Sequence, residues 1–200
     1  MTVDPAAEVV RASLVADLDN GFAKLVRAYQ GVVYSVALRI TGRPAEAEDL
    51  AAESLLRAYR ALRGYDTARI EALVPRAWLL AIVVNTGRNA VRDANRRPAP
   101  ASAEAQEYDR PAVGASVEDR VEADELGREL GAQLARLPHA QRAAVVLRHV
   151  ADLPIAEVAE VLGCPEGTAK SHVFRGLHRL RALLDPRNDR ATLTAPRSSR

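Results

Sequence analysis

Residues 98–120, PAPASAEAQEYDRPAVGASVEDR, interrupt an otherwise periodic chain: Pro, Ala, Ser and acidic residues crowd together and no apolar period runs through them. A segment of that composition buries too little apolar surface to offset the entropy of ordering it, so it reads as a linker. The two stretches that remain are each long enough to bury a small core of their own. Aromatic residues make up 4% of the sequence while Ala and Leu are abundant, which favours helices over sheets. The expected architecture is all-α, with two small helical domains at 1–97 and 126–185. A flexible acidic linker at 98–125 joins them, and a disordered tail follows at 186–200.

The formal net charge of +2 conceals this division. Residues 1–97 carry 14 Lys/Arg against 11 Asp/Glu, residues 98–125 carry 2 against 8, and residues 126–200 carry 12 against 7. Two basic domains suit a polyanionic partner, whereas the acidic connector would avoid DNA and either lie in a basic channel or stay free. A single cysteine, Cys164, excludes an internal disulfide and a multi-thiolate zinc site. No stretch approaches the roughly 20 apolar residues that span a bilayer, and the start MTVDPAAEVV lacks a basic segment followed by an apolar one. A cytoplasmic location without membrane insertion is therefore expected. The four histidines, His139, His149, His172 and His178, have no chelating spacing, and no nucleophile elbow or phosphate loop accompanies them. Neither catalysis nor a cofactor nor a metal is expected.

The richest stretch is 153–184, LPIAEVAEVLGCPEGTAKSHVFRGLHRLRALL. Ile155, Val158, Ala159 and Leu162 fall at i, i+3, i+4 and i+7, one apolar face of a short helix that Gly163 stops. Pro165 suits the first turn of a second helix, whose inward face is predicted at Ala169, Val173, Leu177, Leu180 and Leu184. By subtraction Thr168, Ser171, His172 and Arg175 face outward, flanked by Lys170 and Arg179. These side chains bond base edges or phosphates, and helix-turn-helix proteins place such residues in the major groove. The same stripe also suits a solvated helix face, but from Lys170 to Arg181 there are four Lys/Arg and no acid, where a solvated face mixes signs.

The first half carries two further constellations. On a helix predicted over about 44–63, Glu46, Asp49 and Glu53 sit at i, i+3 and i+7 with Glu48 beside them, and Glu53 faces Arg57. A basic protein partner, a carboxylate metal site or a first turn favoured by the helix dipole would each account for acids there, although Glu53 lies too deep for the last. Helices are also predicted over roughly 19–40 and from Trp78 onward. The latter begins apolar and turns basic through Asn85, Arg88, Arg92, Arg96 and Arg97. The loop before it holds Tyr65, Asp66 and Arg69, and an aromatic beside arginines is what single-strand binding uses, Tyr65 suiting a stacking platform better than Trp78 in its apolar run. A solvated helix end is the competing reading. In the second half, helices are predicted to about Arg136 and from 139 to about Ala151.

Three segments together resemble the bacterial RNA polymerase sigma factors of the sigma-70 family, in their extracytoplasmic-function (group 4) branch: AEAEDLAAESLLRAYRAL at 45–62, RAWLLAIVVNTGRNAVRDANRR at 76–97 and LPHAQRAAVVLRHVADLPIAEVAEVLGCPEGTAKSHVFRGLHRLRALL at 137–184. The resemblance implies that the first docks on core polymerase, the second melts and reads a downstream promoter element, and the third reads an upstream element as duplex. Glu46, Asp49 and Glu53 would face the polymerase. Asn85 matches the family's N-T-x-x-N stretch near the melted strand, with Tyr65, Asp66 and Arg69 in or near the loop that holds a flipped base, and Arg88, Arg92, Arg96 and Arg97 beyond it. Lys170, Ser171, His172 and Arg175 match the family's reading helix, with Thr168 and Arg179 on the same face. The implied partners are RNA polymerase core and promoter DNA, with an anti-sigma protein as a further one. Departures stand at Ala52, where the family often has Gln, at His172, where Arg is usual, and in a longer, more apolar loop at 64–75. A stand-alone helix-turn-helix regulator and a sigma-mimicking adaptor bound by an anti-sigma protein are the rival readings.

Overall fold

A computed structural model describes residues 4–94 and 129–184, and every regular element among them is helical. The linker and tail expected at 98–125 and 186–200 lie outside the described residues. Helix α1 spans Pro5–Ala16, opened by Asp4, whose carboxylate accepts the Ala6 N–H at 3.1 Å, with Pro5 where a missing N–H costs nothing. Asp17 ends α1 and begins α2 (Leu18–Thr41), its carboxylate accepting the N–H groups of Asp19 and Asn20. The predicted helix at 19–40 is thus the greater part of a single 24-residue element, and α1 lies ahead of it as an addition to the sequence reading. Tyr29 of α2 donates its hydroxyl to Asp4 at 2.9 Å, and burial together with that carboxylate raises the phenol's pKa.

Helix α3 spans Pro44–Leu62, close to the predicted 44–63, and buries Ala47, Leu50, Ser54, Ala58 and Leu62 on one face. A one-turn helix, α4 (Thr67–Glu71), stands inside the predicted loop, and α5 (Pro75–Ala94) begins one turn earlier than expected. Helices α2, α3 and α5 pack on one another with α1 laid along α2. In the second half, helical turns at 129–135 (α6) lead into α7 (His139–His149), α8 (Ile155–Leu162) and α9 (Glu166–Leu184), with α7 packed on both α8 and α9.

The two halves share one core. Helix α5 meets α8, and α2 meets α7, so that Leu79, Leu80, Val83 and Val84 of α5 are fully buried in a cluster that runs on into Ala143, Val146, Leu147 and Val158. Arg142 closes this seam from α7. One of its terminal nitrogens donates to the Ile40 carbonyl at 2.6 Å, in the last turn of α2, and the other donates to the carbonyls of Ala135 and Leu137. The last carbonyls of a helix have no partner within it and carry the negative end of its dipole, so a cation there satisfies both demands. Burial lowers the pKa of this guanidinium, which nonetheless stays charged in proteins. His139 stands beside it, its Nε2 buried with no hydrogen-bond partner among the described residues. Burial, with the positive charges of Arg88 and Arg142, pushes its pKa below the usual 6.5. Glu157 of α8 lies within electrostatic reach of Arg76 and Asp4, and burial followed by Glu160 raises its pKa.

Removal of the guanidinium in Arg142→Ala is expected to cost about 1.5–3 kcal/mol in urea unfolding, the range for hydrogen bonds to charged groups. Arg136→Ala, which gives up only an exposed contact to the Gln133 side chain, should leave the midpoint in place. His139 takes up a proton more readily unfolded than folded, so its contribution to stability is present above pH 6.5 and lost as pH falls through its lower folded value. Unfolding measured across that acidic window should show His139→Gln losing part of the wild-type slope.

Candidate nucleic-acid interface

Helices α8 and α9 form the expected helix-turn-helix. Pro154 and Pro165 stand just ahead of α8 and α9 respectively, and Gly163 takes φ 63°, the left-handed conformation that ends α8 and that an L side chain resists. The Cys164 N–H returns to the Ala159 carbonyl at 3.0 Å and closes the turn. The inward face of α9 differs from the sequence pattern. Ala169, Gly176 and Leu180 are buried, with Val173 and Leu183 packed against the core, whereas Leu177 and Leu184 are exposed. The cause is the approach of α7: a Cβ on Gly176 would stand 2.6 Å from Val145 Cγ2 and 3.1 Å from the Gln141 carbonyl. The helix is rotated so that Gly176, and not Leu177, meets α7.

Most of the polar stripe nevertheless faces out. Thr168, Lys170, Arg175 and Arg179 are exposed, with Lys170 in a long, 3.9 Å pairing to Glu166. Ser171 donates its hydroxyl to the Gly167 carbonyl at 2.9 Å, and His172 is half-buried with its Nδ1 buried and unpartnered. Phe174, absent from the sequence reading, is 72% exposed on this helix, with its ring centroid 6.5 Å from that of His178. Its position four residues after Lys170 marked it as outward, but an apolar letter on an apolar-spaced helix drew no notice.

In the first half, Asn85 and Arg88 are exposed one turn apart on α5, and Arg88 also lies close enough to His139 to act on it. Arg92 belongs to α5, while its side chain and residues Arg96 and Arg97 lie outside what the structure describes. The loop ahead of α5 is built around Tyr65. Its hydroxyl accepts from Trp78 Nε1 at 3.2 Å, the two rings meet edge to face at 6.0 Å, and the Arg69 guanidinium carbon lies 3.8 Å from the Tyr65 ring centroid. Tyr65 is half-buried, with the Arg69 guanidinium over one face of its ring and Trp78 at its edge. Asp66 caps α4 by accepting the Arg69 N–H at 2.8 Å, and Arg11 Nη1 donates to the Leu73 carbonyl at 3.2 Å, fastening the loop to α1.

The acidic constellation occupies a separate face. Glu46 pairs with Arg43 and Glu53 with Arg57, each at 2.7 Å, as the spacing of the latter pair predicts, and both pairs are substantially exposed. Such pairs are worth little in water. Asp49 is exposed without an ion pair among the described residues, and Leu56, also missed from sequence, is 43% exposed one turn from Glu53. Among the described residues no cluster of His, Cys, Asp or Glu could hold a metal ion, and no helix is long and apolar enough to cross a membrane.

Comparison with known proteins yields two family-model matches, Sigma-70 region 2 over residues 25–97 and Sigma-70, region 4 over residues 127–180. The chain is 35% identical over 162 residues to the ECF RNA polymerase sigma factor SigE of Mycolicibacterium smegmatis, covering 80% of this chain and 60% of that protein's length. It is 30% identical over 173 residues to the ECF RNA polymerase sigma-E factor of Salmonella typhimurium, covering 84% of this chain and 88% of that one. Among solved structures, the sigma factor RpoE bound to the anti-sigma factor NepR from Bartonella quintana shares the fold with a TM-score of 0.59 at 22% identity, covering 86% of this chain and 99% of that one.

The close approach at Gly176 sets how deep α9 sits. Gly176→Ala should lower stability by about 1–3 kcal/mol through overpacking against Val145 and the Gln141 backbone, read as a fall in the thermal midpoint. The exposed change Arg179→Ala should leave that midpoint where it is.

Proposed function

Since the chain belongs to the sigma-70 family of RNA polymerase sigma factors, in its extracytoplasmic-function branch, we propose that it directs core polymerase to promoters with the three faces described above. It is a transcription initiation factor, binding core polymerase and DNA and acting in the cytoplasm, where both are found, while the chemistry of RNA synthesis belongs to the polymerase. Residues 1–97 serve as the docking and downstream-reading part, 126–185 as the upstream-reading part, and the acidic 98–125 as the connection between them. The observation that carries this assignment is the helix-turn-helix whose second helix turns Lys170, Phe174, Arg175 and Arg179 to solvent while Ala169, Gly176 and Leu180 fix its inner face.

The roles follow from chemistry. Lys170 and Arg179 neutralise phosphates, releasing counterions and fixing α9 along the groove. Arg175 reaches a base edge, its guanidinium suited to a bidentate contact with guanine, and the exposed ring of Phe174 fits against a thymine methyl. Thr168 joins from the first turn of α9, whereas Ser171 and His172, one bonded back to its helix and one half-buried, contribute less directly. Downstream, Asn85, Arg88, Arg92, Arg96 and Arg97 follow the opened strand along and beyond α5, with Tyr65, Asp66 and Arg69 at its start. On α3, Glu48 and Asp49 make no ion pair among the described residues, and Leu56 adds an exposed apolar side chain one turn beyond Glu53. Anionic and apolar together, this face suits a basic docking surface on the polymerase.

Asp49→Lys combined with Glu53→Lys should abolish co-purification with core polymerase while leaving the helical content unchanged; a variant that still co-purifies and initiates normally would sink the docking assignment. Arg175→Ala should weaken binding to the upstream element by about 1–3 kcal/mol with little effect on unrelated duplex. Equal loss on every sequence would make Arg175 a phosphate anchor.

A further inference from the structure

We propose that the seam between the two halves responds to protons through His139: the halves stay packed while its imidazole is neutral and part when it is protonated. Two kinds of contact hold the seam. The meetings of α5 with α8 and of α2 with α7 supply apolar area. Arg142 supplies the polar fastening, donating across the seam to the Ile40 carbonyl at 2.6 Å. His139 opens α7 one turn before Arg142, and Arg88 of α5 lies close enough to act on it, so the imidazole stands where the halves meet.

This position suits a neutral ring and penalises a charged one. Nε2 is buried with no hydrogen-bond partner among the described residues. A neutral imidazole can leave that nitrogen as a bare lone pair, whereas in the charged ring both nitrogens are donors, and a buried N–H without an acceptor is costly. Protonation also adds a positive charge beside Arg88 and Arg142. Those two are the charges that act on His139; α2, α8 and α9, which also pack on α7, bring no other among the described residues. Burial first, and then the two guanidiniums, hold its pKa below 6.5. Parting the halves returns the ring to water and removes Arg88 from its neighbourhood, while Arg142 stays with it on α7. Acid therefore favours the parted state. Glu157, on α8, has the opposite sign: burial and then Glu160 raise its pKa against the pull of Arg76, so it takes up a proton more readily packed than free. Acid does not open the seam through Glu157. Once parted, the halves are joined only through residues 95–128 of the chain, and α5 and α9 are no longer held at one spacing.

The full chain is scanned from about pH 8 to about pH 5, the interval in which histidine titrates, with small-angle X-ray scattering reading overall size and far-UV circular dichroism reading helix content. Wild type is expected to expand below pH 6.5 with its helix content unchanged. The ratio of packed to parted chains should fall by up to about tenfold per pH unit, the slope that one proton gives. His139→Gln, polar but unable to take up a proton, should remain as compact in acid as wild type is in alkali. Arg88→Gln removes the cation across the seam, so its expansion should begin at higher pH. Glu157→Gln should still expand. If wild type keeps its size throughout, the seam is not proton-sensitive. Expansion that persists in His139→Gln, or vanishes in Glu157→Gln, makes another group the trigger and overturns the proposal. Helix content that falls along with the expansion means that acid unfolds the halves instead of parting them, which overturns it too. Should His139→Gln be expanded already in alkali, Arg88→Gln decides: an upward move of the transition upholds the proposal, and no move refutes it.

Discussion

The arrangement of this molecule depends on how the carbonyl end of α2 is satisfied. A helix of 24 residues leaves four carbonyls at its C-terminus without internal partners, and here one of them, Ile40, points into the seam between the two halves. Arg142, more than a hundred residues later in the chain, donates to it and to two carbonyls of its own half. The apolar contact of α5 with α8 supplies area, but area alone has no preferred direction. The guanidinium adds a fixed geometry, and burial beside positive neighbours lowers the pKa of His139 next to it. One polar device at the edge of an apolar seam thus sets how the two halves meet.

Within that frame each exposed polar face is held by something buried. Arg175 and Lys170 stand outward because Ala169, Gly176 and Leu180 stand inward, and Gly176 lets α9 approach α7 more closely than any side chain would. The loop before α5 is ordered by polar contacts, an aspartate cap and an indole N–H on a phenol. Among the described residues Glu48 and Asp49 make no ion pair, while Glu46 and Glu53 are answered by Arg43 and Arg57. The pairing leaves α3 less strained by like charges than its sequence implies and concentrates the free negative charge in the middle of the face.

Local signals made much of this legible. The turn at Gly163, the buried row from Ala47 to Leu62 and the outward arginines of α9 all follow from spacing and capping residues. What escaped depends on contacts between distant residues. Helix α1 buries only Val10 and Leu14, too thin an apolar row to declare itself, though Asp4 and Pro5 form an ordinary helix start. Leu177 and Leu184 carried the right spacing for the core, yet the nearness of Val145 to Gly176 turns the helix away from them. Tyr65 looked free because nothing in a loop sequence tells that an arginine four residues on will lie across it. No periodicity could have joined Arg142 to Ile40.

The side chains that α9 turns to solvent contribute almost nothing to the packing that holds it in place. Phe174, Arg175 and Arg179 lie over no part of the core, while the residues that seat the helix are small or aliphatic and face the other way. Substitutions at these outward positions leave the packed face of α9 intact, so the surface that the helix presents can change in charge and shape while its seat on α7 stays the same.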